Sequence, residues 1–232
     1  MKKVAFLSDI HANLEALQAV LEKVEKLGDT SVYCLGDVVG YGASPNEVIA
    51  LLRRRGVTSV MGNHDYAVVT GNTADFNGRA AISAKWTMEV ISSKSRDYLK
   101  SLPQELSLDV EGSRMYLTHG SPLDHLWEYV DPGTHSELFD FYLKRLSARL
   151  IALGHTHVPY VWKGENGTVL NPGSVGQPRD RDGRSSYAVA TFGEGEVEVE
   201  EERVSYDIRG AAEKIRKAGL PEEHASRLFV GM

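Results

Sequence analysis

Two histidines stand one residue apart in Gly154-His155-Thr156-His157, directly after the apolar run Leu150-Ile151-Ala152-Leu153. In an extended chain alternate residues share a face, so His155 and His157 can point into one space. Converging neutral imidazoles suit a metal ion better than an apolar core. Alone the pair is weak evidence, because a polar turn after a buried strand produces it by accident. The rest of the chain supplies partners: Asp9 and His11 follow the apolar residues 4–7, Asp37 follows 32–35, Asn63, His64 and Asp65 follow 58–61, and His119 closes the run from 115. Each of these histidines, taken singly, can be a strand-end side chain bonded to a neighbouring carbonyl. Taken together, Asp9, His11, Asp37, Asn63, His119, His155 and His157 are more ligands than one ion needs, and they suit two ions sharing a carboxylate. Such a pair clamps the attacking and leaving oxygens of a phosphoryl transfer and lowers the pKa of bound water toward neutrality, so no protein nucleophile is required. The ions also make the site attractive to phosphate.

The elements that must position these residues follow from hydrophobic periodicity. Residues 4–7, 32–35 and 58–61 read as short buried strands, separated by a helix over about 13–27 and one opened by Ser44-Pro45. This βαβαβ order implies parallel strands and right-handed crossovers. A helical stretch is predicted over 78–102, with Ile82, Trp86 and Val90 on one side and Pro103 as its end. Strands are predicted at 106–110, 115–118, 150–153, 160–162, 169–170, 186–191 and 197–204, with one helix over 136–145. An amphipathic helix over 208–218 and a last one opened by Pro221 close the chain. Strand ends in an open α/β sheet line the ligand crevice, so the polar residues at those ends are expected to meet.

Composition bounds the function. The chain has 232 residues and a formal charge of −6, which argues against an extended nucleic-acid surface. Arg53-Arg54-Arg55 reads as a solvated helix end before Gly56. The acidic stretch from Glu194 to Glu202 alternates with Val197 and Val199, the pattern of a half-exposed strand. Cys34 is the only cysteine and lies in an apolar run, so it reads as core. No run is long enough for a membrane span or a signal-peptide core, and a cytoplasmic location is expected. No linker or repeat divides the chain, so residues 1–232 are expected to form one domain, with terminal helices over about 207–232 packing on it. Those helices carry Ile208, Ala211, Ile215, Leu228 and Phe229, which cover a sheet or, if exposed, mark a contact between copies.

The ordered elements Asp9-Ile10-His11, Gly36-Asp37, Gly62-Asn63-His64-Asp65, His119 and Gly154-His155-Thr156-His157 resemble the calcineurin-like binuclear metallophosphoesterases. Asn171 to Arg179, NPGSVGQPR, resembles the small prokaryotic phosphoesterases of that superfamily. The resemblance implies an α/β fold with a two-sheet β-sandwich flanked by helices. It implies that Asp9, His11 and His157 hold one ion, that Asn63, His119 and His155 hold the other, and that Asp37 bridges them. Mn²⁺ is the favoured metal by this resemblance, with Zn²⁺, Fe, Co²⁺ or Ni²⁺ as alternatives. A hydroxide between the ions would attack phosphorus, with His64 assisting the leaving oxygen. Protein phosphatases of the superfamily carry GDxVDRG where this chain has Gly36-Asp37-Val38-Val39-Gly40-Tyr41-Gly42. Their phosphate-gripping Arg is missing, which favours small phosphodiesters, and the Asp that orients their histidine is missing too, leaving Asp65 or a backbone carbonyl to orient His64. Alternatives are a phosphomonoesterase, a dinucleoside polyphosphate hydrolase, a nuclease, and a metal-binding scaffold without turnover.

Four further residues are candidate substrate contacts. Asn171-Pro172-Gly173-Ser174 is turn chemistry that can also aim Arg179 or Arg181 at phosphate. Tyr41 stands either at the pocket rim or over the core. His125, with Trp127 and Tyr129, can form a substrate wall, although Leu126, Trp127 and Tyr129 read more simply as core anchors of their loop.

Overall fold

Alternation along the first strand decides which layers it joins. In β1 (Lys2–Leu7) Val4 and Phe6 face one core cluster while Ala5 and Leu7 face another. The computed structural model, which describes residues 1–193 and 196–232, places β1 at the centre of a five-stranded sheet. β1 pairs in parallel with β2 (Thr30–Cys34), and β2 with β3 (Thr58–Ser59), the crossovers being α1 (Leu14–Glu25) and α2 (Pro45–Arg54). The predicted βαβαβ unit is therefore present, with Asn13 capping α1 by accepting the Ala16 N–H.

Residues after β3 depart from the sequence reading. α3 (Asn63–Thr70) begins directly at the candidate ligand Asn63, a helix that apolar periodicity did not announce. Asp65 at its third position accepts the Gly62 N–H and ties down the first turn. The stretch predicted as one helix over 78–102 is two, α4 (Gly78–Val90) and α5 (Ser93–Lys100), because the Ser92 side chain accepts the Ser95 N–H and starts a new helix. The buried face of α4 is Ala80, Ser83, Ala84 and Thr87, not the predicted Ile82 and Val90, which are exposed. Small side chains let α4 approach its neighbours closely, which hydropathy alone does not register.

β4 (Glu105–Val110), β5 (Ser113–Thr118), β6 (Leu150–Ala152), β7 (Tyr160–Gly164) and β8 (Gly167–Asn171) form a second sheet in the order β4-β5-β6-β8-β7. β9 (Ser185–Gly193) and β10 (Glu196–Val204) extend the first sheet antiparallel, on the far side of β1. Glu194, where the acidic strand was expected to begin, lies outside the described residues; from Glu196 the glutamates are exposed and Val197 and Val199 pack inward. The two sheets bury Phe6, Met115, Leu117, Leu150, Leu170 and Phe192 between them. α6 (Pro132–Leu146) covers the outer face of the second sheet through Phe139, Tyr142 and Leu143. The result is the two-sheet sandwich with flanking helices. Cys34 is a buried free thiol.

α7 (Ile208–Lys217), α8 (Glu222–Ser226) and a 3-10 turn (Arg227–Phe229) close the chain. Ala211, Ala212, Ile215 and Leu228 form their own cluster with Trp86 of α4 instead of covering a sheet, and Phe229 is 49% exposed. Among the described residues no helix is long and apolar enough to cross a membrane.

Candidate metal centre

The strand ends converge. Asp9, His11 and His157 bring ligand atoms within 4.8 Å of one another, as do Asp37, His119 and His155, and as do His11, Asp37 and His64. All of these residues are buried. Asp37 Oδ2 lies 3.6 Å from His11 Nε2 and 3.4 Å from His119 Nε2, between the first two groups. Asn63 Oδ1 lies 3.1 Å from His119 Nε2 and so belongs with the second.

Backbone strain marks the same residues. Asp9, His11, Asp37, His155 and His157 all adopt positive φ, between 49° and 68°. Each such non-glycine residue costs about 1–2 kcal/mol, so the surrounding structure must enforce it. It does so by interlocking loops: His11 N–H donates to the Asp37 carbonyl, and Val175 and Gly176 N–H donate to the carbonyls of Ser8 and Asp9. The Ser174 hydroxyl also donates to the Asp9 carbonyl, and the Asn171 amide donates to the Gly154 carbonyl. The NPGSVGQPR segment is thus a turn that braces the cluster.

Second partners fix which ring nitrogen faces inward. Nδ1 of His11, His119 and His157 meets the carbonyls of Val39, Leu35 and Gln177 at 3.1, 2.8 and 2.6 Å. His155 is turned the other way, with Nε2 3.2 Å from the Trp127 carbonyl. A nitrogen beside a carbonyl must carry the proton, so the opposite nitrogen presents a lone pair. These lone pairs face each other: His11 Nε2 and His157 Nε2 are 3.1 Å apart, as are His119 Nε2 and His155 Nδ1. Asp9 Oδ2 accepts from the Ser8 hydroxyl and the His155 N–H, whereas the buried Oδ1 has no hydrogen-bond partner and lies 3.1 Å from His157 Nε2. Acceptors crowded against acceptors require a cation, and this donor set of imidazole, carboxylate and amide oxygen suits divalent transition ions. The residues fit a two-metal centre.

Without metal, a proton takes part of that role. Burial acts to lower the His119 pKa, but the charge and hydrogen bond of Asp37, with Asp9 and the Leu35 carbonyl, raise it to about 9. The opposite holds for His64 and His155, which burial pulls down to about 4 and about 3. Asp37 is held well below the usual carboxylate range: burial opposes this, and the charges of His119 and His64 prevail. With a folded pKa above the unfolded 6.5, the contribution of His119 to stability is complete below pH 6.5 and is lost as pH rises through about 9. In chelator, the stability difference between wild type and His119→Asn is expected to shrink across that window, by on the order of 3 kcal/mol in all. Chemical denaturation at pH 6 and pH 9.5 measures it; a constant or widening difference would refute the assignment.

His64 is positioned by packing. Its ring centroid lies 4.4 Å from Tyr41, 4.5 Å from Phe76 and 4.9 Å from His11, and its buried Nδ1 has no hydrogen-bond partner. Asp65 does not orient it: that carboxylate accepts the N–H groups of Gly62, Val38 and Val39, joining the two candidate ligand loops. Burial and the charge of Asp37 push the Asp65 pKa up, against those three donors.

The cleft over the cluster is lined by His64, Tyr41, Phe76, Trp127, Tyr129 and Arg179, among others. Tyr41 stands at this rim, its ring 5.9 Å from the Arg179 guanidinium. Tyr129 is not a core anchor; it is 57% exposed and stacks on His155 at 3.9 Å, although its neighbour Leu126 is buried as expected. Phe76, half-buried at the edge of the core, also packs on His64. His125 turns away from the cleft toward the Tyr116 hydroxyl at 3.3 Å and Glu105 at 3.5 Å, and Arg181 is exposed with its N–H bonded to the Gly231 carbonyl, so neither lines the cleft. Sequence patterning could not separate these aromatics, because a loop aromatic over a site and one in a core look alike.

Residues 1–195 match the profile of the calcineurin-like phosphoesterase superfamily domain. The chain belongs to this superfamily. An uncharacterized protein of Methanocaldococcus jannaschii is 40% identical over 98% of both chains. The structure of a metallophosphoesterase from Sphaerobacter thermophilus superposes with a TM-score of 0.82 at 33% identity, covering 100% of this chain and 99% of that one. A symmetrical bis(5'-nucleosyl)-tetraphosphatase of Baumannia cicadellinicola is 45% identical over 73 residues, 28% of this chain and 25% of the other. The phosphoesterase class and its dependence on divalent metal follow from the family, and the Asp/His clusters supply the ligands for it.

Proposed function

We propose that the protein hydrolyses small phosphodiesters, using two divalent ions, Mn²⁺ by preference, held by Asp9, His11 and His157 on one side and Asn63, His119 and His155 on the other, with Asp37 shared. The observation that carries this reading is the pair of facing lone-pair contacts with Asp37 Oδ2 between them. When bound, the ions supply Lewis acidity and an activated water at neutral pH. The chain's own residues do the rest. Carbonyls of Val39, Leu35, Gln177 and Trp127 fix the imidazole tautomers. His64, neutral near pH 7 because burial lowers its pKa to about 4, offers an N–H to the leaving oxygen. Arg179 is the one arginine among the described residues that line the cleft over the cluster, and there is no lysine. A single cation matches the one charge of a diester better than the two of a monoester. In this reading residues 1–232 act as one unit, and the complete donor set speaks against a scaffold without turnover.

The test is turnover of bis-p-nitrophenyl phosphate against p-nitrophenyl phosphate, with Mn²⁺ and with chelator. Metal-dependent hydrolysis with the diester preferred is expected. Monoester preference would overturn the substrate assignment, and no turnover of either ester across several metals would overturn the enzyme reading.

A further inference from the structure

Next to the metal cleft lies a second, larger cavity of about 730 Å³, and the two share Tyr41, Asn77, Tyr129 and Arg179 in their walls. Its own wall adds Arg79 from the first turn of α4 and Glu223, His224 and Arg227 from the C-terminal segment. Those last three residues lie beyond residue 195, outside the span that matches the superfamily domain. A feature built from them lies outside the matched domain, in a segment that the alignments with the Methanocaldococcus jannaschii relative and the Sphaerobacter thermophilus structure also cover.

The charge of the cavity is unusual for its setting. Three arginines and one carboxylate line it, on a chain whose formal charge is −6. Arg79 meets Glu223 at 3.6 Å. Among the described residues Arg179 and Arg227 make no ion pair with an aspartate or glutamate; the Arg179 side chain reaches only the Tyr41 hydroxyl at 3.5 Å and the Gln177 amide oxygen at 3.3 Å, and its buried Nε has no partner. Arg227 turns its Nε to the main-chain oxygen of Met232, the last residue of the sequence. Burial lowers the Arg227 pKa, and the nearby charges of Arg179 and Arg79 lower it further, so the guanidinium groups repel one another through the cavity. Planar guanidinium groups without an aspartate or glutamate partner, as in Arg179 and Arg227, are suited to bidentate contact with phosphate oxygens. Tyr129 is stacked on His155 at one wall, and Ile82, 52% exposed, offers an apolar surface at another.

We propose that this cavity is a second anion subsite, in which Arg79 and Arg227 hold a phosphate group of the substrate other than the one being hydrolysed, while Arg179 stands in the wall shared with the metal cleft. The substrate class is then a phosphodiester or phosphoanhydride that carries a further phosphate within reach of the metal cleft. Arg227 is the specificity-determining residue, because the C-terminal segment brings it to a wall that the matched domain does not build. The exposed Ile82, left out of the core of α4, has its place here as contact surface for the organic part of such a substrate. This inference rests on the phosphodiesterase reading for its catalytic half, but the anion subsite stands on geometry alone.

Two measurements separate the two. The first is calorimetric titration of the metal-free protein with inorganic tripolyphosphate in excess chelator. Wild type is expected to bind at least about 10-fold more tightly than Arg227→Met, and Arg79→Met, altered on an exposed helix face, is expected to weaken binding in the same direction. Equal affinity in all three proteins overturns the subsite. The second compares thymidine 5'-(p-nitrophenyl phosphate) with its 3'-phosphorylated counterpart under Mn²⁺. Wild type is expected to favour the 3'-phosphorylated ester in kcat/KM by about 10-fold, and the ratio is expected to fall toward 1 in Arg227→Met. Specific tripolyphosphate binding with the same ester ratio in wild type and variant overturns the assignment of the subsite to substrate. If wild type hydrolyses neither ester, the phosphodiesterase reading fails, and the titration still decides the subsite.

Discussion

Asp37→Asn is expected to lower metal-dependent turnover of a phosphodiester by about 10²-fold or more while leaving the fold intact. The carboxylate is buried and its two oxygens have separate duties: Oδ1 accepts the main-chain N–H of His64 at 2.8 Å, and Oδ2 faces His11 and His119. An asparagine in the same rotamer keeps the first contact through its amide oxygen. It turns the second into an NH₂ that donates toward the imidazole lone pairs, so the amide occupies the role of a cation without its charge. In chelator near neutral pH the variant also loses the buried pair with protonated His119, so it is expected to unfold below the wild-type temperature. With metal the gap in stability widens. At a metal concentration of 100 times the dissociation constant, binding stabilises wild type by about 2.7 kcal/mol; a variant that binds about 100-fold more weakly gains only about 0.4 kcal/mol. Elemental analysis, melting temperature with and without Mn²⁺, and diester turnover check the three parts. A variant that keeps wild-type metal content and turnover would show that Asp37 is not shared between the donor groups.

The first half of the molecule was legible because its apolar runs are short, buried and punctuated by glycine and acidic residues, so strand ends and candidate ligands coincide. Asp9, Asp37 and His119 are legible as neighbours at one crevice, since each follows within three residues of the end of β1, β2 or β5. What stayed hidden was whatever depends on contact instead of period. α3 opens with Asn63 and His64 as its first two residues, and its signal was the acid Asp65 at the third position, not an apolar stripe. α4 buries alanine and serine and turns Ile82 outward, the reverse of what hydropathy suggests. Tyr129 and His125 sit four residues apart in one loop, yet one stacks on His155 and the other faces Glu105. The arginine wall of the second cavity draws on residues more than 140 positions apart, Arg79 and Arg227 among them, and no local motif joins them. Long-range packing decides such features, and a single sequence does not display it.

The same limit applies to what holds His64, and it yields the second large expected effect. Gly40 sits at φ 96°, a backbone region that side chains rarely adopt, directly against the imidazole. A Cβ there would overlap His64 Nδ1 and stand 2.9 Å from Cγ. Tyr41, Phe76 and His11 flank the ring and His64 is almost fully buried, so the space into which it can yield is the metal cleft, where it would leave its catalytic position. Gly40→Ala is therefore expected to displace the imidazole and lower turnover by about 10²-fold, the cost of a misplacement near 1 Å. His64→Ala is expected to lower it by about 10²–10⁴-fold, with metal content unchanged in both variants because the first-named donors of each group remain. If Gly40 acts through His64, the two losses are not independent: Gly40→Ala added to His64→Ala has no ring left to displace, so the double variant should be no slower than His64→Ala alone. Full additivity in that cycle would mean that Gly40 supports the metal loops directly, and unchanged turnover in His64→Ala would remove the imidazole from the reaction altogether.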